Sequence, residues 1–173
     1  MSKDYLKRNA GDYPVYSSQT ANNGVLGKIN TYDQDGTFIT WTTDGANAGS
    51  VFYRDNEKFS ITSACGLISN DSPERLDFKF LYYFLSLTAK KYVRRSAAIP
   101  ALSHKAMSTV RVPLPPLSVQ QEIAGILDKY TRLGMVGGAE GLLQVELRAR
   151  QRQYEYYLNS LFPSCNNKRG NKL

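Results

Sequence analysis

Pro113-Leu-Pro-Pro-Leu-Ser-Val-Gln-Gln-Glu-Ile-Ala-Gly-Ile-Leu-Asp-Lys-Tyr130 divides the chain into two regions of different character. Each proline fixes φ and removes a backbone donor, so Pro113, Pro115 and Pro116 belong neither inside a helix nor in a central strand. They form a stiff, extended lead-in. Ser118 stands where an N-cap belongs, with Gln121 three residues on, the spacing of a capping box. A helix is therefore expected from Val119, with Ile123, Leu127 and Tyr130 as its apolar seam and Ile126 and Leu133 flanking it.

Upstream of this stretch, short β-type segments alternate with turns. Tyr13–Tyr16, Val25–Tyr32, Thr37–Thr43, Val51–Arg54 and Phe59–Ile68 are rich in β-branched and aromatic residues. Between them lie Ser17–Gly24, a turn at Asp33–Gly36, and Asp44–Ser50. Asp33, Asp35 and Gly36 resemble the start of a calcium loop, but the closing glutamate is missing, and a hairpin turn is expected. Residues 1–12 read as frayed. Leu76–Arg95 reads as a helix capped by Asp77, with Phe80, Leu81, Phe84, Leu85 and Thr88 on one face. Lys90, Lys91, Arg94 and Arg95 crowd its C-terminal end, more cations than the helix dipole requires. A short helix capped by Ser103 and a strand at Thr109–Val112 complete this region.

Downstream, Gly134, Gly137, Gly138 and Gly141 weaken helix by roughly 1 kcal/mol each, so a break is expected over 134–141. Helix resumes from Leu142 to Leu161 and stops at Pro163. Its seam, Leu143, Leu147, Tyr154, Leu158 and Leu161, has coiled-coil spacing and calls for another helix, from a partner or a second copy. The tail, residues 164–173, reads as disordered. The fold class is α+β: a β-rich domain with a few helices over 1–115, then a helical dimerisation and docking region over 116–163.

The 173 residues carry a net charge of +7. Fourteen Lys/Arg stand against 10 Asp/Glu up to Arg111, and 8 against 5 from Pro113 onward, so neither part is a polybasic tail. Such a balance favours an acidic partner, most simply nucleic acid, with a shaped and partly neutral surface sharing the binding. No apolar run reaches the ~18 residues of a membrane span, and no secretory signal is visible. Cys65 and Cys165 form no disulfide framework, which suits a reducing cytoplasm.

No catalytic constellation is present. The one histidine, His104, has no metal-ligand spacing to a cysteine or carboxylate, and neither a dinucleotide nor a phosphate loop is found. No catalytic residue, metal or cofactor is expected. The polar loops stand out instead: Ser17, Ser18, Gln19, Thr20, Asn22 and Asn23; Thr43, Asn47 and Ser50; Ser103, His104 and Lys105. Amides can bond adenine edges, Lys and Arg guanine edges, and hydroxyls and backbone amides phosphates.

Several segments together resemble the specificity subunit of type I restriction-modification systems. They are Asp12–Ser18, Trp41-Thr-Thr-Asp-Gly-Ala-Asn-Ala-Gly-Ser-Val-Phe-Tyr53, Phe80–Leu85, Val112–Asp128 and Glu146-Leu-Arg-Ala-Arg-Gln-Arg-Gln-Tyr-Glu-Tyr-Tyr157. The last two are the most specific. The resemblance spans about 12–162 and implies one target recognition domain, reading half of a split duplex DNA site, followed by a spacer helix. It implies a half-subunit or fragment, methyltransferase and restriction subunits as partners, and pairing through antiparallel helices with a second half-subunit or copy. Catalysis and its cofactors would belong to the partners. The DNA-contact candidates become Ser17, Ser18, Gln19, Thr20, Asn22, Asn23, Lys28, Thr43, Asn47, Lys91, Arg94, Arg95, Ser103, His104 and Lys105. The competing expectation is a protein-interaction module or adaptor that binds or inhibits restriction-modification subunits through its helices.

Overall fold

The computed structural model describes residues 3–95, 98–135 and 142–161. The chain forms two compact units, Met1–Ser72 with Thr88–Val112, and Pro73–Leu87 with Pro113–Leu173.

The first unit is built on a five-stranded mixed sheet in the order β2-β1-β4-β3-β5. Its strands are β1 (Tyr13–Tyr16), β2 (Val25–Ile29), β3 (Gln34–Thr42), β4 (Val51–Ile61) and β5 (Cys65–Ile68). β1 runs parallel to β4, and the other neighbours are antiparallel. The expected frayed start is instead helix α1 (Lys3–Arg8), because Leu6 packs with Val15 and Ile29 in one small core cluster. A second cluster joins Tyr16, Phe59 and Cys65. Trp41 is paired across strands with Gly66, where an added Cβ would lie 2.2 Å from the indole ring. Glycine there makes room for the ring.

Three further sequence expectations need correction in this unit. Asp33–Gly36 is not simply a turn: Gln34 to Gly36 pair with Phe59 to Glu57 as the start of β3. Val51–Arg54 and Phe59–Ile61 are one strand, β4, joined through the polar Asp55-Asn-Glu-Lys58, and the expected strand Phe59–Ile68 divides after Ile61, its Cys65–Ile68 part forming β5. That join contains a β-bulge. Pairing passes from Gly36–Glu57 to Phe38–Arg54, so β4 carries one extra residue, and Asn56 takes a left-handed φ of 47° there. Finally, no strand forms at Thr109–Val112. The short helix α3 (His104–Met107) does form, and Ser103 caps it by accepting from the Ala106 N–H at 3.2 Å.

The second unit gathers α2 (Phe78–Thr88, returning to the first unit at its last residue), α4 (Leu117–Met135) and α5 (Leu142–Leu161). The recognition domain expected over 1–115 therefore gives up Pro73–Leu87 to the helical part. The expected apolar face of α2 is buried throughout: Phe80, Leu81, Phe84, Leu85 and Thr88. The helix is shorter than expected, giving way to a 3-10 turn at Ala89–Tyr92. Asp77 caps it, its Oδ1 accepting from the Phe80 N–H at 2.8 Å.

α4 begins earlier than expected, and Ser118 is not its cap. The N–H groups of Val119 and Gln120 donate to the Pro116 carbonyl, which places Ser118 inside the first turn. Gln120, rather than Gln121, reaches back. Its side chain is fully buried, donating from Nε2 to the carbonyls of Pro115 (2.8 Å) and Arg75 (2.9 Å). Its Oε1 accepts from the Asp77 N–H at 2.9 Å. Asp128 continues the tie between α4 and α2, meeting Lys79 Nζ and Tyr83 Oη, each at 2.6 Å.

Ile123 and Leu127 are buried, and Tyr130 stacks on Tyr157 of α5 with ring centroids 5.5 Å apart. Leu158 of α5 is buried, Tyr154 and Leu161 are half-buried, and the side chains of Leu143 and Leu147 lie outside the described residues. The expected need of α5 for a helical neighbour is thus met in part by the chain's own α4. Gly134 is helical, while residues 136–141 and the tail 164–173 lie outside the described residues.

Candidate functional site

The β4 bulge has a direct consequence for the polar loops. Arg54 and Phe59 are five residues apart, which in a regular strand would put them on opposite faces. The extra residue brings them to the same side, where both meet Tyr16. The Arg54 guanidinium lies 3.5 Å from the Tyr16 ring centroid, and the Phe59 ring 5.3 Å from it. Arg54 is 2% exposed. It donates from Nε to Thr40 Oγ1 (3.1 Å) and from Nη2 to the Asn23 carbonyl (2.9 Å). Burial lowers its pKa, while the nearby Tyr16 and Glu57 oppose that shift.

Asn22 and Asn23 have φ of 50° and 52°, the left-handed region that asparagine tolerates better than other side chains. Arg54 therefore holds the turn of loop 17–24 at its most strained point. Tyr16 donates to both carboxylate oxygens of Glu57 (2.7 and 2.8 Å), and burial with that bond pushes its phenol up to about 12.

The link Thr62–Ala64 carries this loop on one side and the 43–50 loop on the other. The Thr62 N–H donates to the Tyr16 carbonyl (2.9 Å), and the Thr43 N–H donates to the Ala64 carbonyl (3.2 Å). Asn47 Nδ2 joins the two loops directly by donating to Thr20 Oγ1 at 2.9 Å. Between them opens a cleft of about 490 Å³. Its walls are Ser17, Ser18 and Gln19 with Leu26, then Asp44 to Asn47, then Thr62 to Ala64. No lysine or arginine lines it.

The basic residues lie beside the cleft rather than in it. Arg94 and Asp44 both bridge to Ala101, and the Gly45 N–H donates to the Pro100 carbonyl at 3.0 Å. Gly49, at φ 81°, packs closely on the Lys90 backbone and Val93. Lys91, Arg94 and Arg95 are exposed on this flank. The third loop is tied to β3 by the Leu102 N–H donating to the Thr43 carbonyl (2.6 Å) and by Trp41 Nε1 donating to the Leu102 carbonyl (3.2 Å). His104 is exposed with its ring against Trp41, centroids 4.9 Å apart. Ser103 and Lys105 are exposed beside it.

Of the sequence-derived contact candidates, Ser17, Ser18, Gln19 and Asn47 line the cleft, and Thr20 and Thr43 support its walls. Asn22 and Asn23 form the exposed turn behind them. Lys28 sits apart from the cleft lining, exposed on β2 opposite Pro14. Sequence reasoning missed Asp44, Leu26, Thr62 and the supporting Arg54. A basic residue closing the strand Val51-Phe-Tyr-Arg54 was the available signal for the last. Among the described residues no group of three His, Cys, Asp or Glu is placed to hold a metal, and no helix is long and apolar enough to cross a membrane.

Residues 1–135 match the family described as the type I restriction modification DNA specificity domain, and the chain belongs to that family. A type I specificity subunit of Mycoplasma pneumoniae is 43% identical over 169 residues, covering 98% of this chain and 54% of the relative. The specificity subunit of the type I restriction enzyme MpnII from the same organism is 39% identical over 175 residues, 100% of this chain and 51% of the relative. A third, the N-terminal part of another M. pneumoniae type I specificity subunit, is 42% identical over 163 residues, 93% of this chain and 86% of the relative. The chain spans about half the length of the first two. Its fold is similar to that of a type I restriction-modification S subunit from M. genitalium, with a TM-score of 0.62 at 20% identity over 78% of this chain and 36% of that one. The α+β class is the class of this family.

Proposed function

We propose that this chain is a DNA-reading part of a type I specificity subunit, recognising a short duplex sequence through its first unit and performing no catalysis itself. Membership of the specificity-domain family supports the class of function. The observation that carries the reading is the joining of loops 17–24 and 43–50 around a cation-free polar cleft, with exposed Lys91, Arg94 and Arg95 on its flank. Phosphate contacts give affinity and register, and base-edge contacts give sequence. A neutral cleft beside a basic flank separates those two tasks. Ser103, His104 and Lys105 extend the flank, and Lys28 serves as an outlying phosphate contact.

The helical unit would dock methyltransferase subunits and, through them, the restriction subunit, and would pair with a second half-subunit or copy through antiparallel helices. The setting is the cytoplasm. Selection from a random duplex library, with the methyltransferase subunit present, tests the reading: a short motif should be enriched. Affinity for that motif should fall with salt at a log–log slope of about −3 to −4, for roughly four phosphates neutralised. Absence of any enriched motif refutes it.

A further inference from the structure

Among the side chains lining the cleft, Asp44 alone carries a formal charge. Gln19 Nε2 donates to the Val25 carbonyl, a group that can only accept, so the amide nitrogen must face inward. Asn47 Nδ2 donates to Thr20 Oγ1. Both amides thus tie the wall together, while the hydroxyls of Ser17, Ser18 and Ser63 can donate or accept. Asp44 adds a carboxylate, which accepts one bond from Thr43 Oγ1 at 3.2 Å and retains further acceptor capacity.

A carboxylate with no cation beside it in the wall repels phosphate. It cannot pair with guanine O6 and N7 or thymine O4, which are acceptors themselves. What it fits is a donor on a base edge. In the major groove the donors are the exocyclic N6 amine of adenine and the N4 amine of cytosine.

We propose that this cleft is an amine-reading subsite, in which Asp44 accepts a hydrogen bond from the exocyclic amine of one adenine or cytosine of the recognised sequence. The inference rests on the DNA-reading function proposed above and names the base chemistry that one part of the surface selects. Asp44 is the specificity-determining residue on this reading, and Gln19 and Asn47 hold the loops that position it.

Deletion of single amines tests it. In the motif enriched by the wild-type chain with its methyltransferase subunit, each adenine is replaced in turn by purine and each cytosine by pyrimidin-2-one. The wild-type chain should lose about tenfold in affinity at one such position, the discrimination of one good base contact. The same deletion should change binding by less than about twofold for Asp44→Ala. For Asp44→Asn, which keeps a neutral acceptor and the bond from Thr43, the loss should be about threefold, because charge-assisted bonds are roughly twice as strong as neutral ones. Unchanged Trp41 fluorescence confirms that both variants keep the fold of the first unit. The position that responds tells adenine from cytosine. If the wild type enriches a motif but the penalty is the same in all three proteins at every position, the amine-reading subsite is refuted and DNA recognition stands. If no motif is enriched, both fall.

Discussion

Replacing Gln120 tests what holds the helical unit together. Three hydrogen bonds converge on this fully buried side chain, to Pro115, Arg75 and Asp77. Gln120→Met keeps the volume and removes all three. Each bond contributes about 1 kcal/mol net, and a buried group left unpaired costs about 1–3 kcal/mol. The backbone partners are part-buried, so water can reach some of them after the change, and the lower end of that range applies. The expected loss is about 2–4 kcal/mol. In urea, with a slope of about 2 kcal/mol/M, the midpoint followed by circular dichroism at 222 nm should fall by about 1–2 M.

Gln120→Glu sharpens the test. The new carboxylate still accepts from the Asp77 N–H, but it faces two carbonyl oxygens that it cannot satisfy when ionised. Its folded-state pKa is therefore raised above the usual ~4.3. A group whose folded pKa is raised contributes stability below the unfolded value and loses it as pH rises through the folded value. This variant should accordingly come closest to the wild type near pH 4 and fall progressively behind toward pH 7. A midpoint shift under about 0.3 M for Gln120→Met, or a pH-independent gap for Gln120→Glu, would refute the role assigned to Gln120.

Two further outcomes are expected. Arg54→Met keeps the stacking length but leaves the Asn23 carbonyl and Thr40 hydroxyl unpaired, so the first unit should lose about 2–3 kcal/mol in urea unfolding followed by Trp41 fluorescence; wild-type stability would remove Arg54 as the anchor of loop 17–24. Burial pushes Tyr16 and Tyr154 up to about 12, so the stability they contribute is complete below the unfolded value of 10 and disappears as pH rises from 10 to 12. Absorbance at 295 nm should show these phenols ionising late and together with unfolding; titration of all tyrosines near pH 10 in the folded protein would refute it.

What the sequence made legible was local. The capping of α2 by Asp77 and of α3 by Ser103 needs only the neighbouring residues, and the α2 face needs only a 3.6-residue period. The loops supplying most of the cleft could be named because Asn, Gly, Ser and Thr mark turns by their own chemistry. What stayed hidden depends on partners distant in sequence. Asp55-Asn-Glu-Lys58 fell between two expected strands, yet it pairs because Asn56 absorbs an extra residue as a bulge and donates its N–H to Thr37 Oγ1. Leu6 folds α1 only because Val15 and Ile29 are there to receive it. Asp44 was visible as a turn residue, but its place in the cleft required knowing that Asn47 and Thr20 join the two loops.

The opening stretch illustrates the same division of information. Its prolines and the polar residues after them announce a helix start correctly, since that start is a property of backbone sterics. They do not announce which residue secures it. A capping box predicts that Ser118 and Gln121 satisfy the first turn locally; the structure uses Gln120 to reach Arg75 and Asp77 instead. The difference matters for what the joint can do. A local cap would leave the proline lead-in and α4 free of the preceding chain. A buried amide bonded to the lead-in and to the start of α2 makes Pro73–Leu87 and Pro113–Tyr130 one framework within the helical unit, with Asp128 repeating the tie two turns further along. The proposed role of α4 as a spacer requires resistance to bending at its start, and two polar ties about 12 Å apart along it, one buried and one half-buried, supply that resistance, at 1.5 Å of rise per residue.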